Sequence, residues 1–201
     1  MEGDKAGVSL STIDLLICIR NGLKFSNSAT TKTEFLGVFP ADQFPSNACI
    51  DGRARYAYCF VMNTAPSSSP GEHWVAYYLP AKTTRVEFFD SMAMSPQFYG
   101  LPELPETEHV LRQPMQSLGS YVCGQYCVFY ICERSRGLSS SSVLKMLKRI
   151  RGGRERFLIR YTARLQSLNP QCGGSGRTFL HSDCSCCQSC KCPHYFLQNI
   201  H

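Results

Sequence analysis

The stretch Cys123-Gly-Gln-Tyr-Cys-Val-Phe-Tyr-Ile-Cys132 constrains this chain more than any other. It is a helix-like run without a charged residue, and a helix that is apolar on all sides has to be enclosed by other elements. The Gly- and Ser-containing segment from Gln116 to Val122 reads as the loop that delivers the chain to it. Cys123 therefore falls at the N-terminus of a core helix. There the positive end of the helix dipole favours the ionised form of a thiol, and the thiolate is the nucleophile.

Around this helix the sequence marks out further elements. Ser11-Thr-Ile-Asp14 is a capping-box pattern followed by Leu15, Leu16, Ile19 and Leu23, which predicts a first helix over 12–21 closed by Asn21-Gly22. Phe35 to Pro40 and Asp42 to Pro45 are apolar but broken by Gly and Pro, which suits a packed irregular segment. Tyr56 to Asn63 reads as a strand, Thr64 to Gly71 as a surface loop, and Ser91 to Gln113, with its prolines, as an irregular excursion. After Arg136-Gly137, Ser139 to Ser142 can cap a helix with Val143, Leu147 and Ile150 as its apolar stripe. Gly152-Gly153 break it, and Phe157, Tyr161, Leu165 and Leu168 mark another.

The clearest hairpin joins His73–Leu79 to Arg85–Phe89. With its turn centred between residues 81 and 82, His73 faces Asp90, Val75 faces Phe88 and Tyr77 faces Val86. Directly opposed residues share a face of the sheet with Cβ atoms about 4.5–5.5 Å apart, so this register sets an imidazole beside a carboxylate. A slip by one residue would part them.

Acyl transfer by a thiol requires a nucleophile, a base, a group that orients the base and donors for the oxyanion. Cys123 supplies the first, His73 the second and Asp90 the third. Gln116 lies on a loop that doubles back and can aim its amide at the oxyanion beside the Cys123 backbone N–H. Singly, each of these residues is weak evidence: a Cys in an apolar helix usually packs, which is the role assigned to Cys59, Cys127 and Cys132. Jointly they describe a site.

Composition bounds the alternatives. A chain of 201 residues with 43% apolar and 18% charged residues is one globular domain, here assigned to 1–170, with a Gly/Cys-rich tail at 171–201 that is either poorly ordered or metal-binding. No apolar run is long enough to span a bilayer, and no leader sequence stands at the N-terminus, so the expectation is a non-secreted, intracellular protein with reduced thiols. Five of the twelve cysteines, Cys184, Cys186, Cys187, Cys190 and Cys192, crowd the tail. They are weak metal-ligand candidates, because paired knuckles at zinc-finger separation are absent. The net charge of +6 is local: Lys145, Lys148, Arg149, Arg151, Arg154, Arg156, Arg160 and Arg164 face only Glu155 within residues 145–164. That segment is either a polyanion-binding surface or the solvated faces of two amphipathic helices.

Taken together, Gly-x-His73-Trp74, Phe-Phe-Asp90 and Gln116-x6-Cys123-Gly124 resemble the adenain-type cysteine proteases of adenoviruses, which share a superfamily with the SUMO-specific (Ulp-type) proteases. The likeness extends upstream through Phe35-Leu-Gly37, Asp42-x-Phe-Pro45 and Asn63-Thr-Ala65 and covers roughly residues 10 to 135. It implies an α+β, papain-like or adenain-like fold with a mixed central sheet flanked by helices. It also implies His73 as general base, Asp90 as its partner, Gln116 as oxyanion residue, Cys123 as nucleophile, and Trp74 and Gly124 as site support. Substrates implied by the family are capsid or core precursors cut at Gly-containing sites, by a monomeric enzyme acting in the virion and host nucleus. No cofactor is needed for the chemistry, but DNA or a peptide can serve as activator. Two departures stand out. The acid is Asp where adenoviral enzymes commonly carry Glu, and no cysteine lies between Cys59 and Cys123 to tether an activating peptide by a disulfide. A deubiquitinase or deSUMOylase is the rival enzyme, and a vestigial, non-catalytic nucleic-acid-binding protein is the rival of another class.

Overall fold

The capping box read from Ser11 and Asp14 is formed in the computed structural model, which describes residues 9–26, 32–45, 55–150 and 153–168. The Ser11 N–H donates to the Asp14 carboxylate at 2.9 Å, and the Asp14 N–H returns a bond to the Ser11 hydroxyl at 3.3 Å. The helix it starts, α1, runs Thr12–Ser26 and passes straight through Gly22 rather than ending there. Gly22 marks a close approach instead of a stop: a Cβ at this position would overlap the Cys132 sulfur on a neighbouring helix.

Five strands follow the order β1 (Thr33–Phe39), β2 (Ala57–Asn63), β3 (Trp74–Leu79), β4 (Val86–Phe89) and β5 (Thr107–His109) across one sheet. The outer pairs β1·β2 and β4·β5 are parallel, and the inner pairs are antiparallel. The chain is therefore α+β with a mixed sheet. Two strands lie where the sequence read irregular structure. The Gly that argued against a strand at Phe35–Pro40 sits in β1 at a bulge, with φ 143° at Gly37 and a register shift between Phe35 and Gly37. The short β5 is polar and borders the sheet, so it lacks the apolar alternation that would have flagged it.

The hairpin register also differs from the expected one. Ala76 pairs with Phe89, Tyr77 with Phe88 and Tyr78 with Glu87, so the turn is centred between residues 82 and 83. Lys82 takes the left-handed conformation at φ 59°, and the Arg85 N–H is held by the Thr83 hydroxyl at 3.0 Å. These bonds move the turn one residue along the chain. The resulting offset between partners is two residues, an even slip, so every side chain keeps its face of the sheet. His73 and Asp90 become diagonal neighbours, still within reach of long side chains.

Helices α2 (Cys123–Ser135), α3 (Ser140–Arg149) and α4 (Arg154–Ser167) complete the fold. The Ser139 hydroxyl caps α3 by accepting the Ser142 N–H, as its serine run predicts. The described helices do not flank the sheet on both sides: all four bury side chains against one face, that of Cys59, Val61, Ala76, Tyr78 and Phe89. The opposite face, with Phe60, Met62, Tyr77 and Phe88, is covered by Phe44, Tyr99, Leu104 and their loops. At the centre, Phe129, Tyr130 and Ile131 of α2 are fully buried, each contributing about 1.5–3 kcal/mol relative to exposure. None of the described helices is long and apolar enough to cross a membrane. The segment 171–201, with Cys184, Cys186, Cys187, Cys190 and Cys192, lies outside the described residues, as does Arg151.

Gly22→Ala is expected to destabilise the protein by about 1–3 kcal/mol, because an added methyl overpacks the α1–α2 contact. Cys132→Ala should recover part of that loss in the double variant. Denaturant midpoints of the three variants test this, and no recovery would place the strain elsewhere.

Candidate active site

The start of β3, the Gln116 loop and the start of α2 line one cleft of about 600 Å³. His73 lies immediately before β3 and Asp90 immediately after β4. The His73 Nε2 and Asp90 Oδ1 atoms are 2.6 Å apart. With Nε2 on the carboxylate, Nδ1 is left for the Cys123 thiol, which lies within hydrogen-bonding reach of the ring. Burial works against the charged imidazole, but the hydrogen bonds and charges of Asp90 and Cys123 outweigh it and push the His73 pKa up to about 9.

Asp90 is 1% exposed and fully engaged. Besides His73, its Oδ1 accepts the Met92 N–H at 2.9 Å, and its Oδ2 accepts the Met94 N–H at 2.8 Å and the Tyr99 hydroxyl at 3.0 Å. The turn that points these amides inward closes with an Ala93 N–H bond to the Asp90 carbonyl at 2.9 Å and places Ala93 at φ 58°. Tyr99 also covers the His73 ring, with centroids 5.6 Å apart. Burial, and after it the Asp90 carboxylate, raise the Tyr99 pKa, so the phenol stays a donor.

Cys123 is the first residue of α2, where the opening N–H groups of a helix have no partner within it. Gly124 lets this end come close: a Cβ there would lie 3.2 Å from Leu10 and 3.3 Å from Trp74. Trp74 in turn donates its indole N–H to the Leu10 carbonyl at 3.0 Å, tying the chain before α1 to the site. The other described cysteines are buried, and burial pushes Cys18 and Cys132 up to about 12 and raises Cys59 and Cys127 as well. Cys127 spends its thiol on the Trp74 carbonyl at 3.3 Å, in keeping with a packing role.

Gln116 lines the same cleft and is 8% exposed. Its amide orientation is fixed at both ends: the Ser91 hydroxyl donates to Oε1 at 2.7 Å, and Nε2 donates to the Ser120 carbonyl at 2.8 Å. Nε2 carries a second hydrogen beyond the one given to Ser120. The upstream motifs frame the opposite wall. Asp42 accepts the Ser67 N–H and hydroxyl at 2.9 and 2.6 Å, and the Asn63 side chain accepts the N–H groups of Ala65 and Glu72 at 2.8 and 3.1 Å. These bonds fix the loop that leads into His73.

His73, Trp74, Asp90, Gln116, Cys123 and Gly124 are thus brought together. Ser91 and Tyr99 went unread in the sequence. An Asp-Ser turn start was a usable signal for Ser91, whereas Tyr99 reaches Asp90 through a 3₁₀ turn at Pro96–Tyr99, whose opening Pro96 and closing Gly100 mark the turn but not the partner of the phenol. The basic residues divide. Lys145, Lys148, Arg149, Arg156 and Arg160 are exposed, and Arg164 is half-buried. Arg154 turns inward, donating to the carbonyls of Leu147 at 2.7 Å and Met115 at 3.0 Å. No three of the described His, Cys, Asp or Glu residues form a metal-binding group.

No protein-family model matches the chain, and no curated protein matches it.

A folded-state pKa of about 9 against an ordinary 6.5 makes His73 stabilise the fold below pH 6.5 and lose that contribution as pH rises through 9. In Asp90→Asn the carboxylate's contribution is lost while burial and Cys123 remain, so the imidazole pKa should fall below about 9 and the stability slope should shift to lower pH. A His73 ring resonance followed by NMR from pH 5 to 10 reads this directly.

Proposed function

We propose that this chain is a cysteine endopeptidase of papain-like, adenain-like architecture that cleaves viral or mobile-element structural precursors at Gly-containing sites during particle maturation. One observation carries the reading: the His73 imidazole, bonded to Asp90 at 2.6 Å, and the Cys123 thiol, at a helix N-terminus, line one cleft. Gln116 lines the same cleft.

In this mechanism the Cys123 proton passes to His73 Nδ1, and the imidazolium is held by Asp90 through Nε2. The thiolate attacks the scissile carbonyl carbon, and its oxygen takes the negative charge. Gln116 Nε2 and the Cys123 backbone N–H stabilise that oxyanion. Collapse breaks the C–N bond, His73 gives its proton to the leaving amine, and a thioester to Cys123 remains. Water, deprotonated by His73, then hydrolyses the thioester and restores the thiol. Glycine at the cleavage site lets an extended backbone enter beside the walls of Trp74 and Gln116 without Cβ atoms.

The enzyme works as a monomer, in the virion and host nucleus, with DNA as a candidate activator. Exposed Lys145, Lys148, Arg149, Arg156 and Arg160 support a phosphate-binding surface on α3 and α4. No cysteine lies between Cys59 and Cys123, which argues against a covalently tethered peptide activator.

A Gly-Gly-containing peptide should be hydrolysed by the native chain, whereas Cys123→Ala and His73→Ala should be inactive. Gln116→Ala should lower kcat by about 100- to 1,000-fold. Equal activity of Cys123→Ala would sink the reading, and preferential release of ubiquitin or SUMO from a fusion would move it to the isopeptidase rival. Replacing Lys148, Arg149, Arg156 and Arg160 by Gln should weaken DNA binding and flatten its salt dependence without changing peptide hydrolysis. Unaltered DNA affinity would remove the phosphate-binding surface.

A further inference from the structure

The loop that carries Gln116 is held by a residue outside the catalytic set. Glu155, the second residue of α4, turns its carboxylate onto this loop: Oε1 accepts the Ser117 N–H at 2.8 Å and the Ser120 hydroxyl at 3.1 Å. Arg154 beside it grips the start of the loop through the Met115 carbonyl at 3.0 Å, which also receives the Tyr126 hydroxyl at 2.8 Å. Ser120 is the shared node. Its hydroxyl is fixed by Glu155, and its carbonyl receives the Gln116 Nε2 at 2.8 Å. The tip between these anchors is not seated by packing, since Leu118 is 91% exposed and Gly119 turns at φ 74° with open space around it. Polar bonds therefore set where the Gln116 amide points.

From this geometry we propose that Glu155 is a positioning residue for the oxyanion site, holding the Met115–Ser120 loop so that Gln116 presents a hydrogen to the cleft beside Cys123. The assignment rests on reading Cys123, His73 and Asp90 as a hydrolytic centre. An acid in the first turn of a helix ordinarily serves the dipole of its own helix. Here both bonds of Oε1 go to a different segment, one that ends in the nucleophile. Loss of Glu155 thus disturbs the step that generates an oxyanion and leaves the thiolate itself alone.

Three measurements on the full chain separate those effects: hydrolysis of a fluorogenic Gly-Gly peptide, inhibition by a Gly-Gly peptide aldehyde, and inactivation by iodoacetamide. The aldehyde adds the Cys123 thiol to its carbonyl, and the hemithioacetal oxygen occupies the oxyanion position. Iodoacetamide alkylates the thiolate with loss of iodide and forms no oxyanion. Glu155→Ala is expected to lower kcat about tenfold to 100-fold with little change in KM. It should weaken the aldehyde by a similar factor and leave the alkylation rate at the native value. Glu155→Gln keeps the acceptor oxygen and should keep kcat, whereas a role through charge on the helix would be lost in it. Glu155→Ala combined with Gln116→Ala should add little, because both act through one amide. Ser120→Ala, which removes a single donor, should show the same pattern in smaller measure, with thermal midpoints recorded for every variant. Native kcat in Glu155→Ala, equal slowing of alkylation and hydrolysis, or full additivity with Gln116→Ala overturns the positioning role alone. A native chain without Cys123-dependent hydrolysis overturns the hydrolase reading and the positioning role with it.

Discussion

A carboxylate taken out of water sets the terms for the rest of this structure. Asp90 is 1% exposed, and a buried carboxylate is tolerated only when its lone pairs are matched by donors. The fold assembles four of them: His73, two amides of the following turn and the Tyr99 hydroxyl. They come from three different requirements on the chain. The amides need Ala93 in a left-handed conformation, Tyr99 needs the 3₁₀ turn, and His73 needs the hairpin register that keeps it diagonal to Asp90 on the same face. The same bonds that satisfy the carboxylate fix the imidazole in the cleft that Cys123 also lines, so stabilising the fold and positioning His73 are one arrangement.

The platform beneath that site is rigid for related reasons. Helix α2 presents Cys123 at one end and, further along, lies against the sheet through a Phe89–Tyr130 stack with centroids 4.4 Å apart. Near its other end Arg134 makes paired bonds to Glu87 at 2.7 and 2.8 Å, and the Tyr130 hydroxyl adds a third at 2.6 Å. Arg136 bonds the fully buried Glu133, which also receives the Tyr161 hydroxyl at 3.1 Å. Burial raises the Glu133 pKa, against the pull of the Arg136 charge and the Tyr161 bond. Breaking one partner of such buried pairs is strongly unfavourable, so they lock the register of α2 on the sheet and on α4. Preorganised donors stabilise a transition state only if they do not have to move, and this helix has little freedom to do so.

How much was legible in the sequence can be judged residue by residue. The Ser11–Asp14 box, the Ser139 cap and the breaks at Gly137 and Gly153 announced helix boundaries, because capping and left-handed backbone are local chemistry. The even slip of the hairpin left His73 and Asp90 on one face, so their pairing survived a wrong turn centre. Gly37 and Gly22 misled for one reason: a glycine signals that something about the backbone is special, but whether it is a bulge, a stop or a close contact depends on what lies opposite. Arg154 read as one more cation in a basic run, yet the carbonyls of Leu147 in α3 and of the distant Met115 claim it.

By itself the sequence determined which residues could do chemistry and which end of a buried helix would carry the thiol, since hydrophobic patterning and capping act over a few neighbours. It also determined that an imidazole and a carboxylate would flank a hairpin. Only the tertiary structure decided that Ser91, Ser120 and Glu155 would aim the Gln116 amide, that Tyr99 would complete the shell of Asp90, and that the described helices would gather on one face of the sheet. The polar contacts among these join residues from 4 to 38 positions apart, from Gln116–Ser120 to Ser117–Glu155, and those between α1 and α4 reach 144, as in Asn21–Leu165. Most link separate elements, so they exist only after long-range packing has fixed where each element lies, and no periodicity in the chain encodes that placement.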